Sequence, residues 1–268
     1  MLKDITLGQY FPGESLLHRL DPRTKLICTF IYIIALFFAG SYISYGTLIL
    51  VLFLCAAISK IHPSAFFRGL KPVVFIIVFT AILNLFYTKT GRELFGFWGL
   101  SVTTDGVKIA VFMVIRIMLL ISSTFLLTYT TTPMSLTDGV EQLLSPLKKL
   151  HVPVHEFAMM MSIALRFIPT LIEEADKIIN AQKARGADFE TGKLLDRAKA
   201  LLPLLVPLFV SAFRRADELA IAMESRCYRG GVGRTRMNNL VFAARDFITM
   251  GFFILLFTFI VVILRLGL

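Results

Sequence analysis

The sequence predicts an all-α integral membrane protein of about five transmembrane helices with long amphipathic helices attached. Three observations carry that expectation. Of 268 residues, 56% are hydrophobic and only 17% charged, with a mean hydropathy of +0.75, more apolar surface than one soluble core of this size needs. Apolar stretches approaching the roughly 20 residues that cross a hydrocarbon layer as helix recur along the chain. The basic excess, a net charge of +10, falls on alternate loops, as a fixed orientation in a bilayer requires.

The predicted spans are Leu26 to Gly40, Thr47 to Ser59, Pro72 to Tyr87, Val107 to Thr128 and Phe247 to Leu264. The first two nearly touch, and fit either two tilted spans joined at Gly40-Ser41 or one long helix; charge decides between these. With two spans, the N-terminal segment (Lys3, Arg19, Arg23, Lys25), the next inner loop (Lys60, Arg68, Lys71) and 16 residues between Pro133 and Arg245 place 23 of the 28 basic residues on one face. One helix would put the middle group on the other side. The expectation is a multi-pass cell-membrane protein with its N-terminus and the 133–245 region cytoplasmic and Leu268 opposite. Because the basic charge reads as orientation, membrane lipid is an expected partner and nucleic acid is not. Met1 to Lys25 lacks the short apolar core and small-residue cleavage site of a signal peptide. Three cysteines are too few for a disulfide framework, and Cys28 and Cys55 read as small hydrophobes.

From Pro133 onward charges and prolines punctuate the apolar residues at helical spacing. Phe157, Met160, Met161, Ala164, Ile168, Leu171, Ile172, Ala175, Ile178 and Ile179 recur at steps of three and four, one stripe of a long helix. A second such helix is expected from Leu194 through Cys227, bent at Pro203 and Pro207 and stopped by Gly230-Gly231-Val232-Gly233. A shorter one is expected from Ser135 to Leu150, capped by Ser135 or Thr137. All three are too charged to span alone and too apolar to stay solvated alone, so they need each other, the membrane surface or a partner. Three regions follow: a membrane bundle over 1–132, a cytoplasmic helical region over 133–240 and a final span over 241–268.

The chemistry the chain omits is informative. No G-x-x-x-x-G-K-[ST] phosphate loop occurs, so ATP chemistry, if used, belongs to another subunit. The five predicted spans hold no Asp or Glu, against ion-coupled transport. His151 and His155 have the spacing of a helical metal pair, but Pro153 lies between them and no further ligand joins them, so no metal site is expected. Arg116 lies inside a span and must face protein: Thr80, Asn84 or a carbonyl of this chain, or a group on a partner subunit.

Two short sequences near the ends of the long helices are alike: Lys183-Ala184-Arg185-Gly186 and Glu224-Ser225-Arg226-Cys227. In each, small neighbours leave an arginine fork open to a carboxylate or several carbonyls; the plainer reading is a solvated helix end.

Gly8-Gln9-Tyr10-Phe11-Pro12-Gly13-Glu14-Ser15 followed by Leu17-His18-Arg19-Leu20-Asp21-Pro22-Arg23-Thr24-Lys25-Leu26 resembles the N-terminal signature of the T component of energy-coupling factor (ECF) transporters. The paired triplets resemble that family's two Ala-Arg-Gly signatures, the second departing from it at Ser225 and Cys227. The resemblance covers the whole chain. It implies a non-catalytic transmembrane scaffold of an ABC-type importer, joining two cytoplasmic ATPase subunits to an interchangeable substrate-binding S component that captures a vitamin or metal ion. It implies that Ala184, Arg185, Gly186, Ser225, Arg226 and Cys227 bind the ATPases, and that ATP and Mg are held by those partners, with no cofactor on this chain. The competing readings are a membrane-embedded lipid-modifying enzyme, for which Asp138 and Glu141 are the nearest approach to a carboxylate pair with no histidine joining them, and a membrane assembly factor.

Overall fold

The computed structural model describes residues 10–87, 90, 93–97, 100–187, 194–230 and 240–266. Lys3, Gly8, Gln9, Lys89, Arg92, Gly231 to Gly233, Arg234, Arg236 and Leu268 lie outside the described residues. Among the described residues the protein is all-α apart from one small hairpin, and its chain forms two compact units, one built on Gly8–Val140 with Leu240–Leu268 and the other on Glu141–Asn239.

In the first unit, α1 (Pro22–Phe38) starts where Asp21 caps the Arg23 N–H and proline takes the first turn, the position where its missing N–H costs nothing. It ends early, because Ala39 is extended and Ser41 caps a new helix, α2 (Tyr42–Ser59). The chain then forms α3 (Pro63–Leu70), a single 3-10 turn over Lys71–Val73, and α4 (Val74–Tyr87). Strands β1 (Glu93–Phe97) and β2 (Leu100–Thr103) pair antiparallel. Next come α5 (Thr104–Thr130), capped by the Thr103 hydroxyl, α6 (Pro133–Leu144) and, after the second unit, α9 (Ala244–Leu266). The α1 helix packs on α5 and α9, and α5 also packs on α2 and α4. Their shared core includes Tyr32, Leu36, Leu48, Leu119 and Ile260. At its centre the Tyr32 hydroxyl donates to the Leu48 carbonyl at 3.0 Å, so the buried phenol is satisfied.

Among the described residues, five helical stretches are long and apolar enough to cross a membrane: α2, the continuous α3–α4 run, α5, α7 (Val154–Ala184) and α9. The set differs from the sequence expectation at two helices. The α1 helix, expected to span over Leu26 to Gly40, has 17 residues, about 26 Å at 1.5 Å per residue, and lies outside the set. The α7 helix, read from the sequence as an amphipathic arm, enters the set at a hydropathy of 1.2, against 2.9 for α9.

The N-terminal segment is tied to the far end of α5. The Phe11 N–H donates to the Tyr129 carbonyl at 3.0 Å, and the Phe11 ring stands edge-on to Tyr129 at 5.2 Å. With His18 Nε2 3.0 Å from the Phe11 carbonyl, that nitrogen carries the proton in a neutral ring, and Nδ1 then accepts from the Ser15 hydroxyl at 2.6 Å. Lys25 Nζ donates to the His18 carbonyl, the Thr130 carbonyl at 2.8 Å and the Thr131 hydroxyl. It thereby closes the Thr130 carbonyl, which the end of α5 would otherwise leave open.

A second cluster joins the starts of α1 and α9. Asp21 is paired two-fold with Arg23, Nε to Oδ1 at 3.0 Å and Nη2 to Oδ2 at 2.8 Å. Arg23 also donates to the Leu240 carbonyl at 2.9 Å and stacks 3.8 Å over Phe242. Asp246 accepts from the Asp21 N–H at 2.9 Å and, three residues into α9, from the Ala243 N–H at 2.8 Å, a capping-box arrangement. Burial of Asp21 opposes its charge, but the Arg23 hydrogen bonds and the nearby Arg23 and Lys25 charges outweigh this and hold the carboxyl below its usual range.

In the second unit α7 packs on α8 (Leu194–Ser225). The expected α7 stripe divides: Ile168, Leu171, Ile172 and Ala175 line a groove with Leu205, Leu208, Phe209 and Ala212, while Phe157, Met160 and Met161 remain exposed. Pro169 lies within α7, and Pro203 and Pro207 within α8.

A close approach in the first unit lies between α3 and α5, where a Cβ on Gly69 would sit 2.5 Å from the Phe125 ring. That ring is stacked on Tyr129 at 5.6 Å and has little room to retreat. Gly69→Leu is expected to destabilise the protein by about 1 to 3 kcal/mol, the usual cost of overpacking. Gly46→Ala, with open space around it, serves as the control. Thermal denaturation in detergent checks this; equal melting of both variants would refute it.

Candidate functional site

The two arginine triplets adopt one backbone geometry. At the end of α7 Gly186 takes the left-handed conformation, φ +87; its N–H donates to the Lys183 carbonyl at 3.0 Å and the Ala187 N–H reaches back to the Gln182 carbonyl at 3.0 Å. At the end of α8 Cys227 is left-handed with φ 56; its N–H donates to the Glu224 carbonyl at 2.8 Å and the Tyr228 N–H to the Met223 carbonyl at 3.0 Å. Both are Schellman stops. In each, the small residue, Ala184 or Ser225, is the last helical position, the arginine is the cap, and the third residue supplies the left-handed turn.

This geometry decides what the arginines can do. The backbone N–H groups already close the final carbonyls, so neither guanidinium is needed to cap its own helix. Ala184, Arg185, Gly186, Ser225, Arg226 and Cys227 are all exposed. Among the described residues neither arginine finds a hydrogen-bonding or ionic partner, whereas Arg215 on the body of α8 pairs with Glu174 at 2.8 Å. An open fork at the tip of a helix can receive a carboxylate or several carbonyls from another molecule.

The structure moves two boundaries expected from sequence. The α8 helix, expected through Cys227 with its stop in the glycine run, ends at Ser225, and the left-handed residue that stops it is Cys227, which carries no glycine signal. The α6 cap is Thr132, whose hydroxyl accepts from the Ser135 N–H at 3.2 Å, in place of Ser135 or Thr137; Pro133 opens the helix, and the Thr137 hydroxyl donates to the Pro133 carbonyl.

Arg116 donates through Nε to the Tyr45 hydroxyl and through Nη2 to the Ala39 carbonyl, both at 3.0 Å. The Ala39 carbonyl is exposed to it by the early end of α1. Thr80 and Asn84 are engaged with their own helix. A histidine does join Glu141: His155 Nδ1 lies 3.0 Å from its Oε1. This link was invisible in the sequence because it spans the turn between α6 and α7. His151 stands apart as the left-handed cap of the 3-10 turn over Ser145–Leu150 that follows α6. Among the described residues no group of three potential metal ligands converges.

The chain matches the family model CbiQ, cobalt transport protein, over residues 13–238. It is similar to the energy-coupling factor transporter transmembrane protein EcfT of Ruminiclostridium cellulolyticum, 53% identical over 263 residues and covering 97% of each chain. The protein of the same name from Bacillus subtilis is 50% identical over 246 residues, 92% of this chain and 93% of that one. For Lactococcus lactis the identity is 45%, over 91% and 92%.

A left-handed residue with a Cβ costs about 1 to 2 kcal/mol. Gly186→Ala is therefore expected to loosen the α7 stop by about 1 kcal/mol, and Cys227→Gly to tighten the α8 stop by less than that, since glycine loses more entropy on folding. Amide hydrogen exchange at residues 186–187 and 227–228 reads both. Faster exchange at residue 228 in Cys227→Gly would contradict the assignment.

Proposed function

We propose a function from the premise that this chain belongs to the CbiQ family and is a transmembrane T component of an energy-coupling factor transporter. It is a multi-pass membrane scaffold that couples two cytoplasmic ABC-type ATPase subunits to an S component capturing a vitamin or metal ion. The observation that carries the proposal is the pair of like-built Schellman stops, each holding an exposed arginine with no partner among the described residues at the tip of a helix of about 30 residues. Two equivalent tips suit two ATPase subunits. When ATP draws those subunits together, each tip moves with its partner, and stiff helices carry the displacement back toward the membrane.

The chain itself is non-catalytic in this reading. ATP and Mg stay on the partners, and the cargo never needs to touch this subunit. The 133–240 region is the cytoplasmic coupling region, while 1–132 and 241–268 form the membrane part. The basic distribution supports that orientation, with membrane lipid around the bundle. Arg116 serves inside the chain, through Tyr45 and Ala39, in place of a contact to a partner.

Two experiments test this. Cys227 is exposed and is the one native cysteine on the coupling side. A membrane-impermeant thiol reagent is expected to label it in inverted vesicles and not in intact cells. Labelling from outside would reverse the topology.

Truncating one partner of a buried charge contact costs about 2 to 5 kcal/mol, at the lower end a thirtyfold loss of docking. Arg185→Ala and Arg226→Ala are each expected to reduce co-purification of the ATPases and cargo uptake at unchanged membrane abundance. The double variant should lose far more, and lysine at either position should restore little, because it keeps the charge without the fork. Normal ATPase recovery with the double variant would reduce these tips to ordinary helix ends.

A further inference from the structure

The first unit is interrupted in sequence: its chain leaves at Val140 and resumes at Leu240. The Asp21-Pro22-Arg23 tripeptide holds both places. On the outgoing side, a Cβ on Gly139 would lie 3.1 Å from the Pro22 Cβ and 3.4 Å from the Arg23 backbone nitrogen, so α6 rests tightly on the first turn of α1 and a side chain there would have to push it back. On the returning side, Arg23 donates to the Leu240 carbonyl and covers the Phe242 ring. The tripeptide is itself rigid: proline fixes the backbone, the Arg23 fork is closed on Asp21, and Asp246 ties the Asp21 N–H to the start of α9. The pair is shielded, with side-chain exposures of 13% and 3%.

We propose that Asp21-Pro22-Arg23 is the fulcrum of energy coupling: one rigid tripeptide seats both the place where the bundle's chain leaves and the place where it resumes, so that force arriving at Val140 and Leu240 turns α1 and α9 together. The inference rests on the coupling function proposed above. A displacement of residues 141–239 reaches the bundle covalently only at these two crossings. If either were slack, small movements would be lost in backbone torsions there. With both held against the same turn, and α1 packed on α9, neither shifts without carrying that helix pair. Asp21, Pro22, Arg23 and Gly139 are positioning residues in this account, touching neither nucleotide nor cargo.

The test compares wild type with Arg23→Lys, which keeps the charge but cannot span Asp21 and Leu240 together, and with Gly139→Val, which wedges α6 off Pro22. Gly251→Ala, in open space, is the control. Each chain is reconstituted in proteoliposomes with the ATPase pair and a riboflavin-capturing S component, and tritiated riboflavin uptake and ATP hydrolysis are measured per assembled complex. Both variants are expected to assemble and hydrolyse ATP at the wild-type rate while riboflavin moved per ATP falls at least about fivefold, the lower end of ordinary coupling between sites. Gly251→Ala should be unchanged. An unaltered ratio in both variants overturns the fulcrum and leaves the scaffold function standing. Parallel loss of hydrolysis, uptake and assembled complex in both also overturns it, reducing the tripeptide to a folding element. A wild-type chain that fails to recover the ATPases overturns the functional reading and this inference with it.

Discussion

A guanidinium and a carboxylate shielded from solvent at the head of α1 set the terms for much of this protein. Charges removed from water are tolerable only if nearly every hydrogen-bonding direction is met. Arg23 meets that demand with Asp21 and the Leu240 carbonyl, and Asp21 passes the constraint on through its N–H to Asp246. The start of α1, the approach to α9 and the seat of α6 are therefore one arrangement. Lys25, two residues on, extends it to the end of α5 through Thr130 and Thr131. The N-terminal signature is thus structural: its charged residues join helix ends that the sequence holds far apart.

Much of the helical layout was legible because membrane helices announce themselves by composition. Runs such as those now seen in α5 and α9 could be placed to within a few residues, and the break at Gly40-Ser41 followed from charge. What failed to show was local chemistry at ends. The apolar run of α1 continues past the helix, since hydropathy does not register the extended Ala39. A left-handed cysteine gives no sequence signal, so Cys227 was passed over for the glycines beyond it. Contacts across distance were equally hidden: Tyr45 as the partner of Arg116, and His155 as the partner of Glu141, come from different helices or from either side of a turn. The small hairpin before α5 was missed because its strands are only five and four residues long, too short for an alternating pattern to stand out.

The triplets show how a weak pattern becomes a physical statement. Small-Arg-Gly is uninformative as a string, yet each position has a separate reason once the stop is seen. The third residue must enter left-handed space, the second sits at the cap with its fork outside the helix, and the first is the last place where a bulky side chain would crowd that fork. Cys227 satisfies the backbone requirement at a cost that glycine avoids, which locates the departure from the family pattern in stability, leaving the arginine where it was.

The α8 helix connects that tip to the rest of the molecule, and its exposed residues are unevenly divided. Leu201, Leu202, Val206, Phe209, Val210 and Phe213 stand open to the surroundings, while Arg214, Asp217, Glu218, Glu224 and Arg226 follow toward the tip. The helix is not among the described helices long and apolar enough to cross a membrane. Six large apolar side chains on one short stretch exceed what scattered surface hydrophobes explain. In the coupling role proposed above, lipid at the interface or another membrane protein covers the first half and an aqueous partner the second. A single stiff helix with one end suited to the membrane side and the other to a soluble subunit has the physical form that transmission between two such partners demands.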